Sequence, residues 1–331
     1  MSFAFPVLVC DIGGTNARFA LKATREAALS TPVHVRTADY PGLAEAIAAV
    51  AMNLAAKLAS VIACGAGPIV EGKLKLSNAD WHIEGRSVAA RLGLKGGLLL
   101  NDFEAQALSL PVIPQDWTRL IGPGRFGAPG PKVILGPGTG LGVAALIEAT
   151  GKHTPVASEF CHMSCGPSSE EEAAIWPHLE RAHGRVTTES LICGAGLARA
   201  HHARLLARGE PAPALDPAAV TAAALADPQG EAAKSVRLYW RLVARLAGDA
   251  AIAFVARGGV TLAGGVLPRL VSLLDEVEFR DYFEDKAPVD GLARAIPTRL
   301  ITQTDSVLVG MAAIATDPHT YAIDYEARAW T

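Results

Sequence analysis

The sequence predicts an α/β protein with two domains that open with the same hairpin. The chain has 331 residues, about twice the usual length of one domain. It contains 32 glycines and 21 prolines, which indicate many turns between strands and helices rather than an all-helical bundle. A pattern of apolar strand, glycine-rich turn and second strand occurs twice. We interpret this repeat as an internal duplication of one hairpin.

The composition and charge argue against several classes of protein: disordered, nucleic-acid-binding and membrane proteins. Half of the residues are apolar and the mean hydropathy is +0.26, which excludes general disorder. The net charge of −3 leaves no basic excess for binding nucleic acid or an anionic membrane. Glycines interrupt the apolar stretch at 133–147, so we expect no transmembrane helix. The N-terminus has no basic region, so we expect no secretory signal. The odd count of five cysteines then favours reduced thiols in a cytoplasmic protein.

The first hairpin lies at the N-terminus. Residues 7–10 form an apolar run, 11–15 a turn, and 17–21 a second alternating run. Leucine, isoleucine and valine then recur at helical spacing over 43–58. Leu98–Leu100 predicts a buried strand, which runs into Asn101-Asp102 and a helix over 103–110.

The second hairpin follows a glycine- and proline-rich loop at 122–131. Its strands are predicted over 133–135 and 141–146, with the turn at 136–140, and we place the domain boundary near residues 112–131. The rest of the chain is mostly helical. Ser168 or Ser169 would cap a helix that begins with three glutamates, and Asp216-Pro217 would begin another. Further helices are predicted over 230–257, 267–274 and 306–316, with a strand at 259–263 and a turn at Gly264-Gly265.

The two glycine-rich turns suggest phosphate binding, because glycine lets backbone N–H groups approach phosphate oxygens closely. Neither turn is a P-loop, since Gly72-Lys73 and Gly151-Lys152 lack the following serine or threonine. Neither is a dinucleotide fingerprint, since each turn returns as a strand. The alternative is a pair of ordinary hairpins, which the repetition disfavours.

Asp102 and a later polar group are candidates for substrate chemistry. A carboxylate at the end of an apolar strand lies where open α/β folds place their ligands. The alternative for Asp102 is a helix N-cap. Glu159, His162 and Glu189 stand in apolar surroundings and could pair with sugar hydroxyls, although Glu189 could simply start a helix. Cys161 and Cys165 have loose spacing for zinc, and we interpret them as small buried side chains.

These residues together resemble the bacterial ATP-dependent glucokinase family. The resemblance rests on five strings in family order: Asp11-Ile-Gly-Gly-Thr-Asn-Ala-Arg-Phe-Ala, Leu100-Asn-Asp-Phe-Glu-Ala-Gln-Ala, Gly136-Pro-Gly-Thr-Gly-Leu-Gly-Val, Ser158-Glu with His162, and Leu262-Ala-Gly-Gly-Val. It implies a two-lobed actin/hexokinase-like (ribonuclease H-like) fold with duplicated mixed-sheet domains around a cleft. The small α/β domain would span 1–112 and regain a C-terminal helix at 303–318, and the large α+β domain would span 113–302.

The resemblance also implies a function and a site. The activity would be transfer of the ATP γ-phosphoryl group to the 6-hydroxyl of D-glucose by a cytoplasmic, glycolytic homodimer that uses Mg²⁺ and has no resident metal. Asp102 would be the general base. The sugar would be held by Asn78, Asn101, Asp102, Glu159, His162 and Glu189. The nucleotide would be held by Asp11, Gly13, Gly14, Thr15, Gly138, Thr139, Gly264 and Gly265, with Asp11 near Mg²⁺.

The chain departs from the family beside the sugar residues. Phe160-Cys161 stands where the family usually has two glycines, and Met163-Ser164-Cys165 replaces an aspartate-aromatic segment. Cys193-Gly-Ala-Gly196 stands where Ser-Gly-x-Gly is usual. These changes leave alternatives open: a kinase for mannose, an amino sugar or fructose, or a sugar-sensing protein with weak turnover. A nucleotide-driven chaperone is disfavoured because the chain is short.

Overall fold

A computed structural model describes residues 2–76, 80–182, 184–214 and 216–330. Within these residues the strands are β1 (Val7–Ile12), β2 (Asn16–Lys22), β3 (Val33–Arg36), β4 (Ser60–Gly65), β5 (Ile69–Val70), β6 (Lys73–Lys75), β7 (His82–Glu84), β8 (Gly96–Asn101), β9 (Thr118–Ile121), β10 (Lys132–Pro137), β11 (Leu141–Ala149), β12 (Lys152–Ser158), β13 (Val260–Leu262), β14 (Thr298–Ile301) and β15 (Ala329–Trp330).

The α-helices of the same residues are α1 (Leu43–Asn53), α2 (Gly85–Leu92), α3 (Asp102–Ser109), α4 (Glu170–Ile175), α5 (Thr188–Leu191), α6 (Gly194–Ala207), α7 (Pro217–Ala226), α8 (Glu231–Ala253), α9 (Leu267–Leu270), α10 (Glu276–Glu284), α11 (Asp290–Ala295), α12 (Ser306–Thr316) and α13 (Tyr325–Arg328). A short 3₁₀ helix at Phe160–His162 carries part of the candidate site. No helix of the described residues is both long and apolar enough to cross a bilayer.

The chain divides into two compact units. Unit 1 comprises Met1–Gln115, Leu146–Val156 and Asp305–Thr331, and unit 2 comprises Asp116–Ala145 and Ala157–Thr304. Residues 146–156, which include the end of β11 and most of β12, therefore belong to unit 1, whereas the sequence suggested one uninterrupted segment over 113–302. Helix α12 also belongs to unit 1.

Unit 1 is built on a six-stranded mixed sheet in the order β15-β8-β4-β1-β2-β3. Strands β1, β4 and β8 are parallel, and β2 returns antiparallel to β1. Leu8, Phe19 and Ile47 are fully or almost fully buried in its core. The apolar runs of these strands are what a sheet with two covered faces requires.

Unit 2 repeats this arrangement. Its parallel strands are β10, β13 and β14, and β9 pairs antiparallel with β14. The first residues of β11 follow the glycine turn after β10, as β2 follows the turn after β1. The expected duplication of a strand–turn–strand hairpin on two mixed sheets is thus confirmed. Helix α8 packs a long buried face, which includes Tyr239 and Trp240, in this unit.

Two predicted helices end earlier than their apolar patterns suggest. The first was expected over 43–58 and ends at Asn53, and the second was expected over 230–257 and ends at Ala253. Each is followed by a residue with left-handed φ, Ala55 at 49° and Val255 at 47°. The next N–H then bonds back to a carbonyl five residues earlier, in each case ending the helix. Because neither residue is glycine, no local residue pattern indicated that these helices would end there.

The carboxyl end of α3 packs tightly against α12. A Cβ at Gly310 would lie 2.6 Å from Cβ of Ser109, so only glycine permits this approach. Beside it, buried Gln106 donates from Nε2 to Oγ of Ser306 at 2.9 Å. Since α3 begins at Asp102, this contact fixes the helix that carries the predicted base.

The C-terminal tail completes the sheet of unit 1. Strand β15 pairs antiparallel with β8, and the Trp330 side chain is only 4% exposed. Its ring covers Gly85 and Gly97, where any Cβ would clash with it. The tail therefore buries a large aromatic surface at the edge of β8.

We expect Trp330→Ala to destabilise the protein by about 3–5 kcal/mol, because it removes a buried aromatic side chain and leaves a cavity over two glycines. Urea denaturation followed by circular dichroism measures the effect. Met52→Ala is the control, since Met52 is 80% exposed and its loss should change stability by less than about 0.5 kcal/mol. Equal unfolding midpoints for the two variants would show that the tail does not support the sheet.

Candidate active site

In unit 1 the candidate residues gather at the carboxyl ends of parallel strands. The register pairs Asp11 of β1 with Cys64 of β4, and Gly65 of β4 with Asn101 of β8. Asp102 follows at once as the first residue of α3. The strand order therefore brings together residues that are about 90 positions apart in sequence, at the edge where α/β sheets bind ligands.

The Asp11 carboxylate is held by two neighbours. Arg18 forms an ion pair with its Oδ2, and the thiol of Cys64 lies 3.5 Å from its Oδ1. The same Arg18 guanidinium is 3.5 Å from Oδ1 of Asp305, the residue before α12. Sequence reasoning missed Arg18, Cys64 and Asp305, because only the sheet register and the return of α12 place them beside Asp11.

Asn101 is the N-cap of α3. Its Oδ1 accepts hydrogen bonds from the N–H groups of Phe103 at 3.0 Å and Glu104 at 3.2 Å, and its Nδ2 donates to the Gly67 carbonyl at 3.3 Å. The capping role that we considered for Asp102 thus falls to Asn101. The N-cap of α3 therefore does not depend on the Asp102 carboxyl.

Asp102 has an elevated pKa. Burial and the negative charge of Asp11 raise the pKa of its carboxyl from 3.8 to about 6, against the opposing effect of the Phe103 N–H, which donates to Oδ1 at 2.9 Å. A carboxylate in this state accepts a proton more readily than an ordinary surface aspartate does. Buried acids with shifted pKa values are typical of functional sites.

The first glycine turn projects from the same edge of the sheet. The N–H of Gly13 donates to the Asn16 carbonyl at 2.9 Å, and Oγ1 of Thr37 donates to the Gly13 carbonyl at 2.9 Å. Gly13, Gly14 and Thr15 are nevertheless exposed. A turn that is anchored at its base and open at its tip suits backbone binding of an oxyanion.

The second glycine turn lies in unit 2 at the start of α6. The N–H of Gly138 donates to the Gly140 carbonyl at 2.7 Å, and the Gly138 carbonyl accepts from the N–H of Gly194 at 2.9 Å. This places Thr139, which is exposed, near a helix N-terminus, where the helix dipole favours negative charge.

Gly264 and Gly265 lie next to this turn. A Cβ at Gly136 would lie 2.6 Å from the carbonyl carbon of Ala263, so the ends of β10 and β13 come into backbone contact. Gly264 adopts a φ of 83°, which favours glycine, and both residues are exposed. Unit 2 thus brings Gly264 and Gly265 next to the turn that carries Gly138 and Thr139, the four residues of this unit that the resemblance implies for the nucleotide.

The three predicted sugar ligands of unit 2 also form one cluster. His162 lies between two carboxylates, with Nε2 3.4 Å from Oε2 of Glu159 and Nδ1 3.9 Å from Oε1 of Glu189. The other oxygen of Glu189 accepts the N–H of Leu141 at 2.9 Å. A Cβ at Gly140 would lie 2.6 Å from that oxygen, so glycine at this position admits the Glu189 carboxylate.

The Phe160-Cys161 pair, which departs from the resembling family, packs beside the start of α5. Residues 160–162 form the short 3₁₀ helix, and Cys161 is buried. Thr188, the first residue of α5, donates from Oγ1 to the Cys161 carbonyl at 2.6 Å. Thr188 is a further residue that sequence reasoning missed, because its contact spans 27 positions.

The remaining predictions have separate outcomes. Cys161 is buried as expected, whereas Cys165 is only half-buried, and its sulfur lies 3.3 Å from Nη2 of Arg245. Asn78 lies outside the described residues. Glu189 does lie in the first turn of a helix, α5, as the alternative suggested, and it takes part in the cluster as well.

Comparison with known proteins identifies the family of this chain. A sequence model of the glucokinase family matches residues 8–318. A glucokinase of Mesorhizobium japonicum is 39% identical over 330 residues, which cover 99% of this chain and 97% of that protein.

Solved structures show the same fold. A glucokinase from an Antarctic psychrotroph superposes with a TM-score of 0.84 at 29% identity, over 94% of this chain and 98% of that one. A glucokinase of the ROK family from Streptomyces griseus, solved in complex with glucose and AMPPNP, has a TM-score of 0.65 at 20% identity, over 94% and 99% of the two chains. The family model and the full-length relative together establish that this chain belongs to the glucokinase family of hexose phosphotransferases.

Proposed function

We propose that this protein transfers the γ-phosphoryl group of ATP to the 6-hydroxyl of D-glucose, with Asp102 as the general base. The observation that carries this proposal is the position of the half-buried Asp102 carboxyl, which follows β8 at the same sheet edge as the exposed glycine turn after β1 and has a raised pKa. The family assignment supports the reaction, and the glucose and AMPPNP bound by the Streptomyces griseus structure support the two substrates.

The base acts on the attacking alcohol. As the bond forms between O6 of glucose and the γ-phosphorus, Asp102 takes the O6 proton, and the bond to the β–γ bridging oxygen breaks to release ADP. Little covalent help is needed, since phosphoryl transfer depends mainly on positioning and charge neutralisation. A carboxylate whose pKa is about 6 is ionised at neutral pH and remains basic enough for a late proton transfer.

The sugar hydroxyls would be held by Asn101, Glu159, His162 and Glu189, and by Asn78. Asn101 has its Oδ1 committed to the cap of α3, so its contribution would come from Nδ2. Glu189 is held by the N–H of Leu141, and it in turn faces His162. Paired acceptors and donors suit vicinal hydroxyls, because an unpaired buried hydroxyl costs about 1–3 kcal/mol.

The nucleotide would be bound through backbone. Gly13, Gly14, Thr15, Gly138 and Thr139 would face the phosphates of ATP, and Gly264 with Gly265 would pass close to the adenosine. All of these residues are exposed or half-buried, and Gly138 lies at the N-terminus of α6, where its carbonyl accepts the N–H of Gly194. Glycine allows a phosphate to approach the main chain more closely than any residue with a Cβ does.

The residues of unit 1 fit a magnesium ion. Asp11 offers a carboxylate, the ligand type that Mg²⁺ prefers, and the charge of Asp11 is one cause of the raised pKa of Asp102. A cation near Asp11 would offset that repulsion. When bound with ATP, Mg²⁺ would neutralise charge on the phosphate oxygens, and Asp11 would hold it through water.

The cellular setting follows from the same proposal. The enzyme would act in the cytoplasm at the entry of glucose into glycolysis, as a homodimer. The departure at Phe160-Cys161 makes another hexose the alternative substrate, and a coupled assay with Mg·ATP over glucose, mannose, fructose and glucosamine distinguishes them. Sugar binding without ADP release would favour a sensor instead.

Replacing the base tests the assignment directly. We expect Asp102→Ala to lower kcat by about a thousandfold or more, with a smaller change in glucose affinity, because the variant loses the proton acceptor and keeps the other proposed sugar ligands. Turnover is measured by coupled assay and affinity by calorimetry. The exposed Asp116 provides the control Asp116→Ala. A turnover of Asp102→Ala within about tenfold of the unsubstituted protein would reject Asp102 as the base.

The pH dependence follows from the same carboxyl. Because the pKa of Asp102 is raised to about 6, its protonated, inactive form accumulates below that pH, so kcat/KM for glucose should fall tenfold per pH unit on the acid side. A pH–rate profile at saturating Mg·ATP measures this limb. A value of kcat/KM that stays constant down to pH of about 5 would contradict an elevated pKa.

The variant Gly140→Ala tests the role of Glu189 in sugar binding without replacing any of the proposed sugar-binding residues. In Gly140→Ala the new Cβ would lie 2.6 Å from Oε2 of Glu189, so the carboxylate must move and lose the Leu141 N–H. We expect KM for glucose to rise by about tenfold or more, with a smaller change in kcat. Gly291→Ala is the control, since nothing lies within 4 Å of its added Cβ. An unchanged KM in Gly140→Ala would separate Glu189 from sugar binding.

A further inference from the structure

Unit 2 contains a mixed cluster of potential metal ligands. Glu159, Cys161 and His162 each offer one donor atom, and the three donors lie within 4.8 Å of one another. Oε2 of Glu159 is 3.9 Å from Sγ of Cys161 and 3.4 Å from Nε2 of His162. The thiol is the unusual member, because Cys161 stands where the resembling family usually has glycine.

Two of these separations are close to those around a tetrahedral ion. Zinc binds sulfur at about 2.3 Å and nitrogen or carboxylate oxygen at about 2.0–2.2 Å. At tetrahedral angles such bonds place the donor atoms about 3.4–3.7 Å apart. The nitrogen–oxygen pair already has this separation, and the sulfur–oxygen pair exceeds it by a few tenths of an ångström. Rotation of the exposed Glu159 side chain would shorten the sulfur–oxygen separation, and rotation of the exposed His162 ring would bring its nitrogen, within 4.8 Å of the sulfur, closer to the thiol.

The surroundings orient the imidazole for this role. Nδ1 of His162 lies 3.9 Å from Oε1 of Glu189, and Nε2, on the other side of the ring, lies 3.4 Å from Oε2 of Glu159. A carboxylate behind a ligating histidine is the arrangement that fixes ring orientation in many zinc sites. Glu189 is itself held by the Leu141 N–H at 2.9 Å. The histidine would therefore need little rearrangement to bind an ion.

The cluster is open on one side and closed on the other. The side chains of Glu159 and His162 are 85% and 56% exposed, whereas Cys161 is buried. An ion can enter from solvent, meet the carboxylate and the imidazole, and reach the thiol behind them. Three protein donors leave the fourth position of a tetrahedral ion for water.

We propose that Glu159, Cys161 and His162 form a binding site for a thiophilic divalent cation such as Zn²⁺, Co²⁺ or Cd²⁺, and that the bound cation excludes glucose. A thiolate, an imidazole and a carboxylate select such ions over Mg²⁺. Binding replaces the S–H bond of Cys161 by a sulfur–metal bond and releases one proton to solvent. The exclusion of glucose rests on the proposed function, in which Glu159 and His162 hold the sugar.

Cobalt is the direct probe of the site. The full chain, without an affinity tag, is titrated with CoCl₂ while the near-ultraviolet thiolate-to-cobalt absorption is recorded. We expect a band that saturates at one equivalent and disappears when Zn²⁺ is added. In Cys161→Ser the band should be lost. Absence of the band from the unsubstituted protein, or its persistence in Cys161→Ser, would overturn the metal site.

Two further variants make the result specific. Cys165→Ser is the matched control, because Cys165 lies four residues away and contacts Arg245 instead of the cluster, and it should keep the band. Glu159→Gln changes an exposed side chain, so folding should be retained, and we expect its cobalt affinity to fall by about tenfold or more. Unchanged affinity in Glu159→Gln would remove the carboxylate from the site.

Competition tests the second half of the proposal. At saturating Mg·ATP, Zn²⁺ should raise the apparent KM for glucose in the unsubstituted protein and in Cys165→Ser, and should have far less effect in Cys161→Ser. A cobalt band that glucose does not displace would keep the metal site and overturn the exclusion of glucose. Loss of activity in Asp102→Ala is independent of either result, so failure of the metal site and failure of the proposed base are distinguishable.

Discussion

The partial burial of one carboxyl group at the end of a strand is the constraint around which the candidate site of unit 1 is built. Asp102 lies at the end of β8 and near the charge of Asp11, and both effects favour its protonated form. Burial of a charge is costly unless neighbours compensate, and here the compensation comes from the N-terminus of α3. Asn101 supplies the cap in place of Asp102. The helix is then held at its other end by α12, through Gly310 and Ser109.

Unit 2 depends on a comparable close contact. The Glu189 carboxylate reaches the backbone of Leu141 only because Gly140 has no Cβ, and this single hydrogen bond connects the glycine turn with His162. The glycine turn therefore has a second role besides its proposed contact with phosphate. The N–H of Leu141, which follows the turn, holds the Glu189 carboxylate 3.9 Å from the imidazole of His162. The proposed nucleotide and sugar residues of this unit are thus connected through this one hydrogen bond.

Much of this organisation was visible in local sequence. The repeated strand–turn–strand pattern indicated the duplicated sheets, and Ser169, Asp216 and the 306–316 pattern marked helix starts that the structure has. Helix ends were less predictable. Ala55 and Val255 adopt left-handed φ without being glycine, because hydrogen bonds of the surrounding chain, rather than intrinsic preference, select that conformation.

The sequence by itself determined the residue types of the site, because short strings with aspartate, glycine and threonine carry their chemistry in local order. The tertiary structure alone decided which of these residues meet. Parallel register joined Asp11 to Cys64, the return of α12 brought Asp305 to Arg18, and the docking of α5 brought Glu189 to His162. Each of these contacts joins distant positions, and such contacts depend on strand order and packing, which no local pattern of residues encodes.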